Sequence, residues 1–523
     1  MVAAGHRPAV PARDCPVGTR LNGRDKRGRV RLNTEMNRFF KLLVSAACLV
    51  FSQSEILSAP VTPLFVTVDL KRGEKFEVAL PNGDRAEVEL LAMRETKGDV
   101  WGEVFRAEVD VRLNGTVATL VSGMYRLPVE MGGVMVDCPI TGGLKANSHI
   151  DHWALEKDAR LRIWPKDSPA IRPGTFGYPV TQKWFASQTS FSNEPVAPRP
   201  ARLLYYHAGL DIGGCEGLID ILAATDALVV SKGDEILAGH EKDTPIQKRY
   251  DVLYLMDDRG WYYRYSHLDS FDASVELGGR VTLGQKIGTL GKEGGSGGWT
   301  HLHFEIKSRQ PSGRWGTQEG YAFLWQAYQE RHKPDVIAVA RPGHVVFAGQ
   351  SVKLDGSRSW SRGGGIANHE WTFSDGVTGK GAEQQRSYAK PGTYIETLKV
   401  TDSQGRVDYD FVRVKVFDRR NPHEQPPRLH ATFHPTFAPK AGEPITFKVR
   451  AFNNTHGEEV WDFGDGSPVV RTKSDGNIEQ RAKNGYAIVN HTYAKPGDYL
   501  VHVQRPNAKG HHAEDRLHVN VVE

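Results

Sequence analysis

The sequence predicts a mainly β protein built from several domains, and three observations carry that prediction. A chain of 523 residues exceeds what one core organises, since single cores stop growing near roughly 250 to 300 residues. Glycine (54) and proline (29) are frequent, and no long heptad or helical period runs through the chain. Short apolar/polar alternations bounded by Gly, Asn and Asp recur instead, as half-buried strands require.

Residues 1–35 hold eight Lys/Arg against three acids, which accounts for the whole formal charge of +5. The remainder is close to neutral and carries no footprint for nucleic acid. Residues 1–35 read as a mis-assigned or disordered leader, because Met36 opens a second start, Asn37-Arg38-Phe39-Phe40-Lys41, followed by the apolar run Leu42 to Phe51. That basic start and short apolar run cannot span a bilayer and suit a secretory signal over residues 36–59. Export to the periplasm, envelope or outside is expected, with no transmembrane span in the mature chain. Cys138 and Cys215 then remain; the compartment would permit a disulfide, but their pairing is left open.

Residues 60–187 are expected to form an N-terminal β domain, from alternating runs such as Phe65 to Leu70, Lys75 to Leu80 and Ala86 to Leu91. His149, Asp151 and His152 invite a metal assignment. In a strand, however, His152 would face away from the other two, and a polar loop accounts for them better. Residues 188–200, with three prolines and two serines, read as a linker.

Residues 201–332 hold the chemistry. In Thr300-His301-Leu302-His303-Phe304-Glu305 an extended strand puts His301 and His303 on one face and Leu302 and Phe304 on the other. Two imidazoles on one wall suggest a metal site. Upstream, His207 and Asp211 share a face four residues apart, and Tyr265-Ser266-His267-Leu268 ends an aromatic run. The glycine-rich run 294–298 precedes the His-x-His strand and is expected to let a substrate backbone approach.

Together, residues 203–307 resemble the catalytic domain of lysostaphin-type zinc metallopeptidases, the peptidoglycan endopeptidases with His-x-x-x-Asp and His-x-His motifs. The similarity extends to Gly278 through Gly288, like the family's strand and turn before the glycine loop. It implies a small antiparallel β fold and one Zn2+ per chain held by His207, Asp211 and His303, with the fourth position open. It also implies that His267 and His301 are non-ligand catalytic histidines that move protons, and that peptidoglycan or another peptide is the substrate. Glu305 is either an orienting partner for a ligand or a rim carboxylate. Trp299 and Tyr265 are either subsite walls or core. Cys215 reads as buried structure rather than a stray ligand. The sequence departs from the family at Gly213 to Asp220, which inserts extra residues after Asp211. Tyr321, Trp325 and Tyr328 share one helical face, expected to pack on the catalytic domain.

Beyond Pro334 a repeat appears: Trp371-Thr372-Phe373-Ser374-Asp375-Gly376 matches Trp461-Asp462-Phe463-Gly464-Asp465-Gly466. Ser387 through Tyr394 then matches Thr492 through Tyr499, so the second copy carries extra residues, placed in a polar loop from Val470 to Lys483. Residues 335–418 and 425–523 resemble tandem PKD domains, β-sandwiches that imply attachment or spacing and contact with a cell surface or polysaccharide. The resulting expectation is an exported zinc endopeptidase acting on peptidoglycan. Its rivals are a secreted peptidase acting on proteins and a catalytically silent envelope scaffold.

Overall fold

The computed structural model describes residues 62–196 and 204–523, so the expected leader, the signal segment and the last part of the expected linker lie outside the described residues. The protein is mainly β. No helix among the described residues is long and apolar enough to cross a membrane.

At the N-terminal end two four-stranded sheets face one another. Val66–Leu70, Ala159–Pro165, Val134–Thr141 and Val129–Met131 make one, and the meander Lys75–Ala79, Arg85–Lys97, Val104–Leu113 and Thr116–Val121 makes the other. Their inward residues, Leu70, Val88, Val111 and Leu161 among them, form one core. The alternation legible in the sequence is the buried/exposed alternation of these strands. Arg162 leaves this sandwich. Its guanidinium is buried, lies over the rings of Phe65, Trp164 and Phe323 at 5.4, 5.1 and 5.4 Å, and donates to the Glu319 carbonyl at 2.7 Å.

The expected boundaries shift after Pro165. Residues 171–191 carry Phe176, Tyr178, Trp184 and Phe191, which enter the same core as Leu210, Phe304 and the helix Tyr321–His332. On that helix Tyr321, Trp325 and Tyr328 are all buried, as their spacing predicted. The stretch expected as a linker is paired instead: Thr189–Ser190 forms the edge of the central sheet against Asp211 and Ile212, and Pro195–Val196 pairs with Tyr205–Tyr206. Proline and serine at an edge satisfy the ladder as well as a loop would, because an edge strand leaves one side unpaired.

The central sheet is antiparallel. Its path runs through Ala227–Lys232, Leu253–Met256, Tyr262–Ser266, His301–Arg309 and Leu210–Gly213 to Thr189–Ser190. Register sets the chemistry: His303 stands opposite Asp211 on one side and Ser266 on the other, so three separated motifs meet at one level of the sheet.

The two C-terminal sandwiches share one sheet. Gly392–Asp402 of the first pairs in parallel with His512–Val521 of the second at Gly392 with His512 and Thr393 with Ala513. Each retains its own core, around Trp371 in the first and Trp461 in the second.

Candidate active site

His207 Nε2, Asp211 Oδ1 and His303 Nδ1 converge. The two nitrogens lie 3.1 Å apart, His207 Nε2 is 3.1 Å from Asp211 Oδ1, and His303 Nδ1 is 2.9 Å from it. A tetrahedral ion with bonds of about 2.0–2.2 Å needs ligand edges near about 3.4 Å, so the triad fits zinc with slight expansion. All three residues are wholly or largely buried. Asp211 is desolvated, yet the imidazoles of His207 and His301 hold its carboxyl well below the usual carboxylate range.

The other two histidines flank this cluster without joining it. His301 Nδ1 donates to the Trp299 carbonyl at 3.0 Å, which leaves Nε2 facing the cleft, 3.5 Å from Asp211 Oδ2. Burial pushes His301 down to about 3, so its ring is neutral at ordinary pH. His267 sits at φ +70°, in the left-handed region. Its backbone N–H donates to Asp251 Oδ2 at 2.9 Å and its Nδ1 to the Glu293 carbonyl at 2.7 Å. The two rings lie 4.6 Å apart.

Glu305 is buried and second to the cluster: its Oε2 is 3.8 Å from His303 Nε2, while Lys307 and the Thr317 hydroxyl hold its Oε1 at 2.6 and 3.0 Å. Although burial opposes ionisation, Lys307 keeps this carboxyl well below its ordinary range. Trp299 stacks on His301 at 3.9 Å and lines the cleft, whereas Tyr265 is core and accepts from the Ala224 N–H. Cys138 and Cys215 are both free and buried; Cys215 Sγ lies 3.0 Å from the Thr432 hydroxyl. His149 Nδ1 bonds the Leu204 carbonyl in a loop, but His152 is half-buried and lines the cleft, a placement that its sequence did not disclose.

Two supports were invisible in the sequence. Arg249 pairs with Asp251, and Asp251 in turn fixes the His267 backbone. The second C-terminal sandwich braces the glycine run: Arg450 Nη1 donates to the Gly298 carbonyl at 2.6 Å and Asn477 Nδ2 to the Gly297 carbonyl at 3.1 Å. Gly298 lies at φ +88°, and a Cβ there would meet Asn477 Oδ1 at 2.0 Å, so this glycine serves the docked domain as well as the cleft. The Thr300 N–H donates to the Tyr486 hydroxyl at 2.9 Å, and that hydroxyl donates to His430 Nδ1 at 2.7 Å. His430 meets Trp299 edge-on at 5.1 Å. The histidines open into a cavity of about 970 Å³ walled by all four regions.

Comparison with known proteins places these parts. Residues 205–313 match the profile of peptidase family M23, and residues 332–416 and 430–521 match PKD domain profiles. The chain carries an M23 peptidase domain and two PKD domains. Among solved structures, lysostaphin is 15% identical, with 46% of this chain and 91% of that one covered at a TM-score of 0.22. The M23 protein EnpA of Enterococcus faecalis is 17% identical over 28% of this chain and 92% of that one, with a TM-score of 0.18. A PKD domain of the Vibrio cholerae metalloprotease PrtV is 31% identical over 16% of this chain and 90% of that one, with a TM-score of 0.13. Collagenase ColA of Clostridium perfringens is 31% identical over 81 residues, and this chain spans 7% of its length.

Proposed function

We propose that this chain is an exported, zinc-dependent endopeptidase that hydrolyses amide bonds in the peptides or cross-bridges of bacterial peptidoglycan. The observation that carries the reading is the convergence of His207, Asp211 and His303 at 2.9–3.1 Å beside two further imidazoles. A zinc ion held there would polarise the scissile carbonyl and bring the attacking water toward a pKa of about 7. The protein supplies the proton path. His301, tied through Nδ1 to the Trp299 carbonyl, offers a bare Nε2 that can accept a proton. His267, whose Nδ1–H is likewise donated to the Glu293 carbonyl, faces it with a second bare Nε2; whichever ring takes the proton from the water becomes an imidazolium that can steady the developing oxyanion and return that same proton to the leaving amine. Trp299 covers one face of His301 and keeps water from it.

The test is zinc content by mass spectrometry with release of new amines from purified peptidoglycan, for the chain and for His303→Ala. About one zinc per chain and amine release, both lost in the variant, is expected. A wild-type chain that binds no zinc overturns the reading, and zinc binding with cleavage of proteins but not of peptidoglycan overturns the substrate.

A further inference from the structure

The cavity above the histidines is walled on one side by the first PKD domain, and that wall is cationic. In the strand Val407–Phe417, Val412, Val414 and Val416 are fully buried in the sandwich core, so Arg413 and Lys415 alternate outward, into the cavity. Arg428, whose guanidinium lies 3.8 Å over the Phe452 ring, lines the same space.

The charges elsewhere in the cavity are matched. Lys307 and Arg264 meet Glu305, Arg249 meets Asp251, and Asp211 belongs to the histidine cluster. Arg413 and Lys415 form no ion pair with a carboxylate among the described residues: Arg413 donates to the Gln188 amide oxygen, and the Lys415 ammonium lies 5.8 Å over the Trp101 ring. Glu194 also lines this space: its Oε1 accepts from the Tyr125 hydroxyl at 2.6 Å and the Phe191 N–H at 2.7 Å, and its charge acts on Arg413 and Lys415, as that of Asp515 does on Arg413, from beyond ion-pair distance. Burial depresses the Lys415 ammonium well below the lysine range, and the Arg413 and Arg428 charges deepen the effect. Arg413 and Lys415 are half-buried on the cavity wall, where an anion placed between like charges stabilises both.

We propose that Arg413 and Lys415 form a carboxylate-binding subsite that selects peptides bearing a free carboxylate near the bond to be cut. The subsite rests on the peptidase reading above and names its substrate class: acidic peptides rather than uncharged, all-glycine bridges.

The test compares peptidoglycan fragments with their native carboxylates against the same fragments amidated with carbodiimide and ammonia. The full chain should favour native fragments in kcat/KM by roughly tenfold or more, the range of charge-assisted bonds. Arg413→Gln with Lys415→Gln should bring the preference within about twofold while sparing the rate on amidated fragments. Arg413→Lys with Lys415→Arg should keep most of it. No preference in the wild type, or a preference that survives the double glutamine variant, overturns the subsite. If no fragment is cut at all, the peptidase reading fails separately. Calorimetric titration of both fragment sets into the His303→Ala chain then decides the subsite: tighter binding of native fragments, lost with the glutamines, supports it, and equal binding overturns it.

Discussion

The two PKD domains share a skeleton and differ where each touches the peptidase. In both, the motif tryptophan is fully buried and a tyrosine pair packs nearby, Tyr388 tilted against Tyr394 at 4.6 Å and Tyr493 stacked on Tyr499 at 4.1 Å. The turns diverge. Gly464 takes φ +78° in the second copy; in the first, Ser374 replaces it, and Glu396, standing where the second copy has Val501, accepts from the Ser374 N–H at 2.6 Å and the Tyr388 hydroxyl at 2.8 Å. The larger difference is the insertion after Val470, which brings Asp475 onto Arg450 and Asn477 onto the glycine run. The first copy lacks it and turns a cationic strand face to the same cavity. Repeated aromatic residues specify the sandwich, and unrepeated polar residues specify what the sandwich does to its neighbour.

The comparison breaks first at Arg450. Its buried guanidinium serves Asp475 and the carbonyls of Gly298, Glu479 and Gln480, so Arg450→Ala should destabilise the second PKD domain by about 3–5 kcal/mol in urea unfolding. Amine release should fall with it. Arg386→Ala in the first copy, which loses a half-exposed pair with Asp375, should cost about 1 kcal/mol or less and spare activity. Equal effects would refute the division of labour.

Giving the first copy the residue of the second, Glu396→Val, orphans the Ser374 and Tyr388 donors and should lower stability by about 1–3 kcal/mol with activity intact at low temperature. Each copy also presents a desolvated histidine, half-buried at His344 and fully buried at His430: desolvation pushes His344 down to about 4 and His430 well below its usual range. Both bind fewer protons folded than unfolded, so stability should fall as pH drops from about 6.5 toward 4, by up to about 1.4 kcal/mol per pH unit for each. Melting curves of His344→Gln should show a shallower fall over that window. A smaller loss of activity than at Arg450 is expected for Asn477→Ala, which removes one bond to the Gly297 carbonyl and should slow amine release by about two- to tenfold.

Much of this molecule was legible in sequence because its determinants are local. Alternation marked the strands, and the His-x-His spacing put His301 and His303 on one strand; that Asp211 stands across the ladder from His303 came only with the fold. What escaped depends on contacts distant along the chain. Nothing near Arg249 and Asp251 announces that they hold His267. The loop after Val470 read as polar surface because its partners, the carbonyls of Gly297 and Gly298, carry no side-chain signature. Residues 188–196 misled for a related reason: proline and serine mark turns by composition, while the pairing of Thr189 with Ile212 is decided by the sheet they join.

The parallel pairing of Gly392 with His512 and Thr393 with Ala513 has a mechanical consequence. His512 also stacks on Tyr394 at 4.6 Å, and Glu514 accepts from the Ile395 N–H at 2.8 Å across the same seam. A tandem joined this way is a beam rather than a chain of beads. Pulled from the ends, the tandem should yield in one cooperative step rather than two.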